Sequence, residues 1–323
     1  MKRIAVMTSG GDAPGMNACV RAVVREGIAE GLEVFGVRRA YAGLLEGDLA
    51  PLDARAVGGI LRQGGTFLRT ARSDEFRTPE GVTRGLGVLE AHKIDALVVC
   101  GGEGSLRGAR DLLDQGFPCV GVPGTIDNDL IGTDLAIGVD TALNTALDAL
   151  DKIKDTASAM GRVFVVEVMG RRCGYLALMA GIAGGAELVL VPEVPVTTEK
   201  VLDSLEEQRR RGKPHFIAVV AEGAQPRAAE LVESIGRSTE RGHLEARLTV
   251  IGHVQRGGSP TAADRILASR LGSAAVERLR EGITGEMVGL VGGRIAYTPI
   301  AEVVATPRCL DMEYYELSWV LGT

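Results

Sequence analysis

The sequence predicts an α/β protein of two doubly wound, Rossmann-like domains, with mostly parallel sheets covered by helices. Three observations carry that prediction. At 323 residues the chain exceeds the size at which one hydrophobic core keeps growing, so two domains are expected. Short apolar runs alternate with longer helical patterns from one end to the other. Most of those runs are unbroken Val/Ile/Leu/Ala stretches, which implies burial on both faces and so a parallel sheet.

In chain order, strands are expected at 3–8, 33–38, 96–100, 119–123, 163–169, 187–192, 216–221, 248–254 and 287–291. A helix is expected over 140–157, where Leu143, Leu147 and Leu150 recur on one face. Another is expected over 260–281, with Ser259 as its N-cap and Pro260 in its first turn. No Ser/Pro-rich linker, low-complexity stretch or fixed-period repeat separates two halves. Two intimately packed domains, with the chain crossing between them more than once, suit this best.

Composition narrows the function. The 36 basic and 42 acidic side chains leave a net charge of −6, which disfavours duplex nucleic acid and anionic membranes. Aromatic residues make up 4%, with a single tryptophan, too few for a base-stacking surface. The five cysteines are scattered and form no C-x-x-C pair, so neither a disulfide framework nor a zinc site is expected, and a cytoplasmic setting is. No apolar run is long enough to span a bilayer, and residues 4–7 are too short a run for a signal peptide. The 44 glycines are roughly twice the usual share, so glycines mark turns and close approaches of backbone.

In a doubly wound sheet, ligands bind beyond the carboxyl ends of the strands. Several segments there combine glycine with charge. Thr8-Ser9-Gly10-Gly11-Asp12-Ala13-Pro14-Gly15-Met16-Asn17 joins a strand to a helix and can offer backbone N–H groups to an anion. It is neither G-x-G-x-x-G nor a P-loop, and alone it is equally well ordinary strand–helix geometry. Cys100-Gly101-Gly102-Glu103-Gly104-Ser105 suits a phosphate cradle with a magnesium ligand beside it, or a turn capped by Ser105. Pro123-Gly124-Thr125-Ile126-Asp127-Asn128-Asp129 places two carboxylates close together, which calls for a cation, arginine partners or a substrate hydroxyl to offset them. Met169-Gly170-Arg171 ends a buried strand with a cation suited to a phosphate in transfer, or with a rim charge. His253-Val254-Gln255-Arg256-Gly257-Gly258-Ser259-Pro260 is expected to close a strand just before a helix, a natural second phosphate site.

Together these segments, with the Val-Ala-Glu-Gly stretch at 220–223, closely resemble bacterial ATP-dependent 6-phosphofructokinase, in the family's order along the chain. The resemblance implies the phosphofructokinase fold. It implies a larger ATP-binding domain from 1–138 plus about 257–310, and a smaller fructose 6-phosphate-binding domain from 139–256 plus about 311–323. It also implies phosphoryl transfer from MgATP to the C1 hydroxyl of fructose 6-phosphate, a step of glycolysis. Asp127 would be the general base, with Thr125 at the transferring phosphate and Asp129 supporting the magnesium and phosphate site. Gly11, Arg72 and Arg171 would face the phosphates. Tyr41, Ser73, Gly102, Glu103, Gly104, Ser105 and Gly108 would line the nucleotide, with Glu103, alone or together with Asp129, on the metal. Ile126, Met169, Gly170, Glu222, His253, Val254, Gln255 and Arg256 would hold the sugar phosphate. Arg162 and Arg247 would reach its 6-phosphate from a neighbouring copy, so a homotetramer with shared sites is implied.

Departures from the family pattern carry expectations of their own. Glu103 stands where most relatives have Asp, which lengthens the metal-facing carboxylate and should alter metal dependence. Gly161 stands where regulated relatives carry a glutamate, so weakened phosphoenolpyruvate inhibition is expected. An ADP or GDP effector site is partly present in Arg21 and Arg25, in Lys154, in Gly185, Ala186 and Glu187, and in Arg211, Lys213, Pro214 and His215. Gly104 and Gly124 stand where pyrophosphate-dependent relatives carry Asp and Lys, which favours ATP. The alternatives are a pyrophosphate-dependent enzyme and a non-catalytic nucleotide or sugar-phosphate-binding subunit of the same fold.

Overall fold

A computed structural model describes residues 1–213, 215–237 and 245–322. The chain divides into two compact units and passes between them three times: Met1–Thr141 with Arg256–Arg308, and Ala142–Gln255 with Cys309–Thr323.

The first unit holds a seven-stranded sheet. Its strands are β1 (Arg3–Ser9), β2 (Glu33–Val37), β3 (Leu49–Leu52), β4 (Ala96–Gly101), β5 (Cys119–Pro123), β10 (Glu286–Val291) and β11 (Arg294–Pro299), in the order β11-β10-β5-β4-β1-β2-β3. β4 and β5 are buried along their whole length, as unbroken apolar runs covered on both faces should be. The order reverses between β1 and β4, which makes the carboxyl ends of those strands the expected crevice. The two edge strands, β3 and β11, run antiparallel to their neighbours and were not expected from the sequence. Both are short or half-exposed, so neither shows the buried apolar run that marks the interior strands.

The second unit holds a four-stranded parallel sheet of β6 (Val163–Val168), β7 (Leu188–Leu190), β8 (Phe216–Ala221) and β9 (Ala246–Val250), in the order β7-β8-β6-β9. β9 differs from the strand expected at 248–254. It starts and ends earlier, and Gly252–Arg256 forms a 3-10 turn, so His253 and Arg256 do not close a strand. The apolar run there does not mark burial, because Val250 and Val254 are 55% and 69% exposed on an edge.

The helix expected over 140–157 is α5 (Val139–Met160). It is followed by Gly161 at a φ of 63°, whose N–H bonds back to Ala157 O. That left-handed position suits glycine and disfavours any residue that carries a Cβ.

The helix expected over 260–281 is α9 (Ala262–Arg280), capped by Thr261 rather than Ser259. Thr261 Oγ1 accepts from Asp264 N, whereas Ser259 Oγ donates to Arg62 O. Asp264 in turn is 1% exposed and accepts from Gly138 N and Thr141 N, so the first turn of α9 also caps the start of α5.

Candidate functional site

In the first unit, three loops leave the sheet at one level. Ser9 pairs with Gly101, and Gly101 with Pro123, so β1, β4 and β5 end in a single register row. Beyond that row lie Gly10–Gly15, Gly102–Ser105 and Gly124–Asp129. Glycine is required at Gly101, because a Cβ there would come within 2.5 Å of both Ser9 O and Ser105 Oγ. Helix α4 (Glu103–Asp114) starts at this point and adds the positive end of its dipole. Its N-cap is Gly102; Ser105 lies inside the helix, 3% exposed, and is not the cap.

The second and third loops approach each other closely. A Cβ on Gly102 would sit 3.5 Å from Thr125 Cβ, so the turn after β4 faces the threonine of the carboxylate loop. Thr125 Oγ1 accepts from Asp127 N at 3.2 Å. Ile126 is fully buried, so it offers a ligand no surface, and its place among the sugar-binding residues expected from the sequence is not supported. Between the two aspartates, Asn128 takes a left-handed φ of 52° and is fully buried. Its Nδ2 donates to Asp134 O and its Oδ1 accepts from Ala136 N, which fixes the loop and leaves Asp127 and Asp129 half-buried on either side. Sequence reasoning passed over Asn128, although an asparagine between two aspartates is itself a signal for a left-handed turn.

The remaining first-unit candidates fall into two groups. Tyr41 lies behind the Gly102 turn rather than in the open: it is 7% exposed, stacks on Phe76 and donates to Ser105 O. Gly108 makes room for it, since a Cβ there would come within 2.6 Å of the Tyr41 ring. Ser73 Oγ accepts from Phe76 N, while Arg72 is exposed. Arg256 falls in this unit; its guanidinium packs on Gly11, where any side chain would collide with it, and donates to Asp12 O.

Among the described residues no group of three or more His, Cys, Asp or Glu gathers as a metal centre. Magnesium needs none, since it takes one or two carboxylates, water and substrate phosphates. The oxygen donors at the ends of β4 and β5, namely Glu103, Thr125, Asp127 and Asp129, fit such a hard cation. Glu103 is bound by Arg107 one helical turn on, through Nε and Nη2, an exchange any metal there must compete with.

The glycines at 104 and 124 differ in their surroundings. A Cβ at Gly104 would meet nothing within 4 Å. At Gly124 a Cβ would come within 2.8 Å of Cys100 Sγ and 3.2 Å of Met16 Cε.

In the second unit the candidates gather at the carboxyl ends of β6 and β8 and at the amino ends of β6 and β9. At the carboxyl ends, Gly170 has a φ of 137°, and a Cβ there would meet Cys173 O at 2.5 Å. Arg171 Nε donates to Glu222 Oε1 at 3.0 Å. Met169 is 8% exposed and Gln255 fully buried, whereas His253 and Val254 are exposed. At the amino ends, Arg162 and Arg247 converge on one carboxylate: Arg162 Nε lies 2.6 Å from Glu245 Oε2, and Arg247 Nη2 reaches Oε1. Sequence reasoning did not find Glu245. Its partnership with Arg162 depends on the pairing of β6 with β9, which no local pattern shows.

The effector candidates divide between the units. Arg21 and Arg25 lie on α1 (Met16–Ala29) in the first. In the second, Lys154 Nζ donates to Gly184 O and Gly185 O, beside the buried Ala186. Lys213 Nζ meets Glu187 Oε1 at 3.4 Å and donates to Gly322 O, and Glu187 is only 7% exposed. His215 Nδ1 is bonded with Ser158 Oγ, and Arg211 with Glu207. Pro214 lies outside the described residues.

Residues 3–279 match the phosphofructokinase family. The chain belongs to that family. It is 55% identical, over the whole of both chains, to "ATP-dependent 6-phosphofructokinase 1" of Thermus thermophilus. It is 52% identical, again over both whole chains, to the ATP-dependent 6-phosphofructokinase of Shouchella clausii. Among solved structures, phosphofructokinase from Saccharomyces cerevisiae matches with a TM-score of 0.86 and 41% identity, over 94% of this chain; the chain spans 45% of that longer one. A pyrophosphate-dependent phosphofructokinase from Marinobacter aquaeolei matches with a TM-score of 0.83 and 25% identity, over 97% of this chain and 86% of that one. The phosphofructokinase fold expected from the sequence is thus the fold of the molecule.

Proposed function

We propose that the chain transfers the γ-phosphoryl group of MgATP to the C1 hydroxyl of fructose 6-phosphate, giving fructose 1,6-bisphosphate and ADP, as a cytoplasmic enzyme of glycolysis. The observation that carries this reading is the register row of Ser9, Gly101 and Pro123, which sets two glycine turns and the Thr125–Asp129 carboxylate loop side by side. A phosphate cradle and a proton acceptor are what phosphoryl transfer to an alcohol requires.

In this mechanism Asp127 accepts the proton of the C1 hydroxyl as that oxygen bonds to the γ-phosphorus. The bond from phosphorus to the bridging oxygen breaks, and ADP leaves with the electron pair. Thr125 and the N–H groups around Gly11 and Gly102 hold the phosphate oxygens, and Arg72 and Arg171 offset their growing charge. Glu103, with Asp129, would hold magnesium, which supplies charge neutralisation at the phosphates. Met169, Gly170, Glu222, His253 and Arg256 orient the sugar, and the Arg162–Arg247 pair takes the 6-phosphate of a neighbouring copy in a homotetramer. Two arginines converging on one carboxylate suit a dianion. Effector binding of ADP, GDP or phosphoenolpyruvate belongs to the same reading, with the residues around Lys154, Glu187 and Lys213 as its second-unit part.

The donor follows from the two glycines. Open space at Gly104 leaves room for a nucleotide, and the crowding of Gly124 by Cys100 leaves none for the lysine of pyrophosphate-dependent relatives. Assaying fructose 6-phosphate phosphorylation with ATP and with pyrophosphate tests this. ATP is expected to support turnover and pyrophosphate to be far poorer; faster turnover with pyrophosphate would overturn the assignment.

A further inference from the structure

We propose that Gln255 is a positioning residue, which sets the Met169–Arg171 turn through a backbone hydrogen bond and does not touch the sugar. This rests on the reading of that turn as part of the fructose 6-phosphate site.

The parallel ladder around β6 explains why such a residue is needed. Along β6, Val168 O accepts from Glu222 N on the β8 side, and Glu167 O accepts from Ile251 N on the β9 side. Backbone groups alternate between neighbours along a strand, so the N–H of Met169 points to the β9 side. β9 has already ended at Val250 and turned into the 3-10 segment Gly252–Arg256. A buried N–H left without an acceptor there would be costly. Gln255 Oε1, reaching back from that segment, accepts from Met169 N at 2.8 Å. One side chain thus substitutes for the missing strand.

The consequences fall on the two residues that follow. Gly170 O accepts from Gly223 N, and Arg171 packs its own backbone against Gly223, within 3.0 Å of where a Cβ would stand. Arg171 Nε then meets Glu222. With Gln255 in place the turn is held from both flanking strands; without it, only the β8 side remains. Gln255 is fully buried, which leaves no surface for a sugar to contact. Its Nε2 meets no acceptor among the described residues, so an apolar side chain of the same size would avoid an unmet donor. What the amide supplies that such a side chain cannot is the acceptor for Met169.

The test compares Gln255→Met, which keeps the volume and removes the acceptor, with Gln255→Glu, which keeps an oxygen acceptor. For the methionine variant the KM for fructose 6-phosphate is expected to rise about tenfold, the scale of one buried hydrogen bond, while the KM for ATP stays within about twofold. The glutamate variant is expected to regain most of that loss. Equal losses toward both substrates, or a lower melting temperature with an unchanged fructose 6-phosphate KM, would overturn the proposal. Should the methionine variant not fold, hydrogen exchange in the wild-type protein decides: the Met169 amide is expected to be protected like the β6 core, and rapid exchange there would overturn it. Failure of the reading beneath it would look different, as wild-type protein inactive on fructose 6-phosphate with a protected Met169 amide.

Discussion

The two units present anion-seeking groups in opposite ways. At the end of β4 and β5 the first unit uses main chain: Gly101, Gly102 and the start of α4 approach Thr125 with little side-chain bulk between them. The second unit uses long charged side chains that are already paired, Arg171 with Glu222, and Arg162 and Arg247 with Glu245. A backbone cradle is fixed when the fold forms and needs no rearrangement when an anion arrives. Paired arginines must exchange a carboxylate for a phosphate. The first unit should therefore be rigid and tolerant of few substitutions, and the second adjustable and sensitive to salt.

Substitutions can break or sharpen that contrast. Among the substitutions that address this contrast, the largest effect is expected from Arg171→Ala. If Arg171 leaves Glu222 to face the phosphate in transfer, its loss should lower kcat by about a hundredfold or more, with ATP binding nearly kept. A kcat near that of the wild type would make the Arg171–Glu222 pair a surface contact only. Next comes Gly124→Lys, aimed at the rigidity of the cradle. Its side chain meets Cys100 and Met16, so a loss of about 1–3 kcal/mol in unfolding stability is expected, measured by denaturant titration. Unchanged stability would mean that the β5 loop can shift and that the first unit is less fixed than described.

Glu245→Gln sharpens the other side. With the competing carboxylate gone, the KM for fructose 6-phosphate should fall by a few-fold, and the effect should shrink at high salt. A rise in KM would show instead that Glu245 holds the two arginines in place. The smallest effect is expected at Asp264. Burial raises its carboxyl above the ordinary aspartate value, against the lowering by its bonds from Thr141 and Gly138. The folded state therefore keeps this proton more tightly than the unfolded chain. The stability contributed by Asp264 is largest at acid pH and declines as pH rises from 3.8 through the raised value. The margin by which the wild type outlasts Asp264→Asn on heating should narrow over that window; a margin that widens would contradict the assignment.

The same contrast governs what could be read from the sequence. The first unit's site was legible because glycine turns and their charges are local in the chain, and the strands carrying them are unbroken apolar runs such as Ala96–Gly101. Arg171 was legible at the end of its strand and the resemblance supplied Arg162 and Arg247, but the partners that hold these arginines depend on distant pairing. Glu245 meets Arg162 because β9 lies beside β6, and Gln255 meets the Met169 amide from 86 residues away. Edges were the other weakness. β3 and β11 lack buried runs, and the exposed Val250 and Val254 read as buried because hydropathy does not separate a core face from an apolar edge. Helix starts failed only in detail: Ser259 and Thr261 are both good caps, and the choice lay in which could reach the Asp264 amide.

The central claim is that Asp127, held between the Thr125 turn and the buried Asn128, takes the proton of the sugar hydroxyl. Single-turnover phosphoryl transfer from ATP to fructose 6-phosphate in Asp127→Ser, alongside calorimetric titration of ATP, tests it most directly. Transfer should slow by about 10²–10⁴ while ATP affinity stays close to that of the wild type. A transfer rate near the wild-type value would contradict the account.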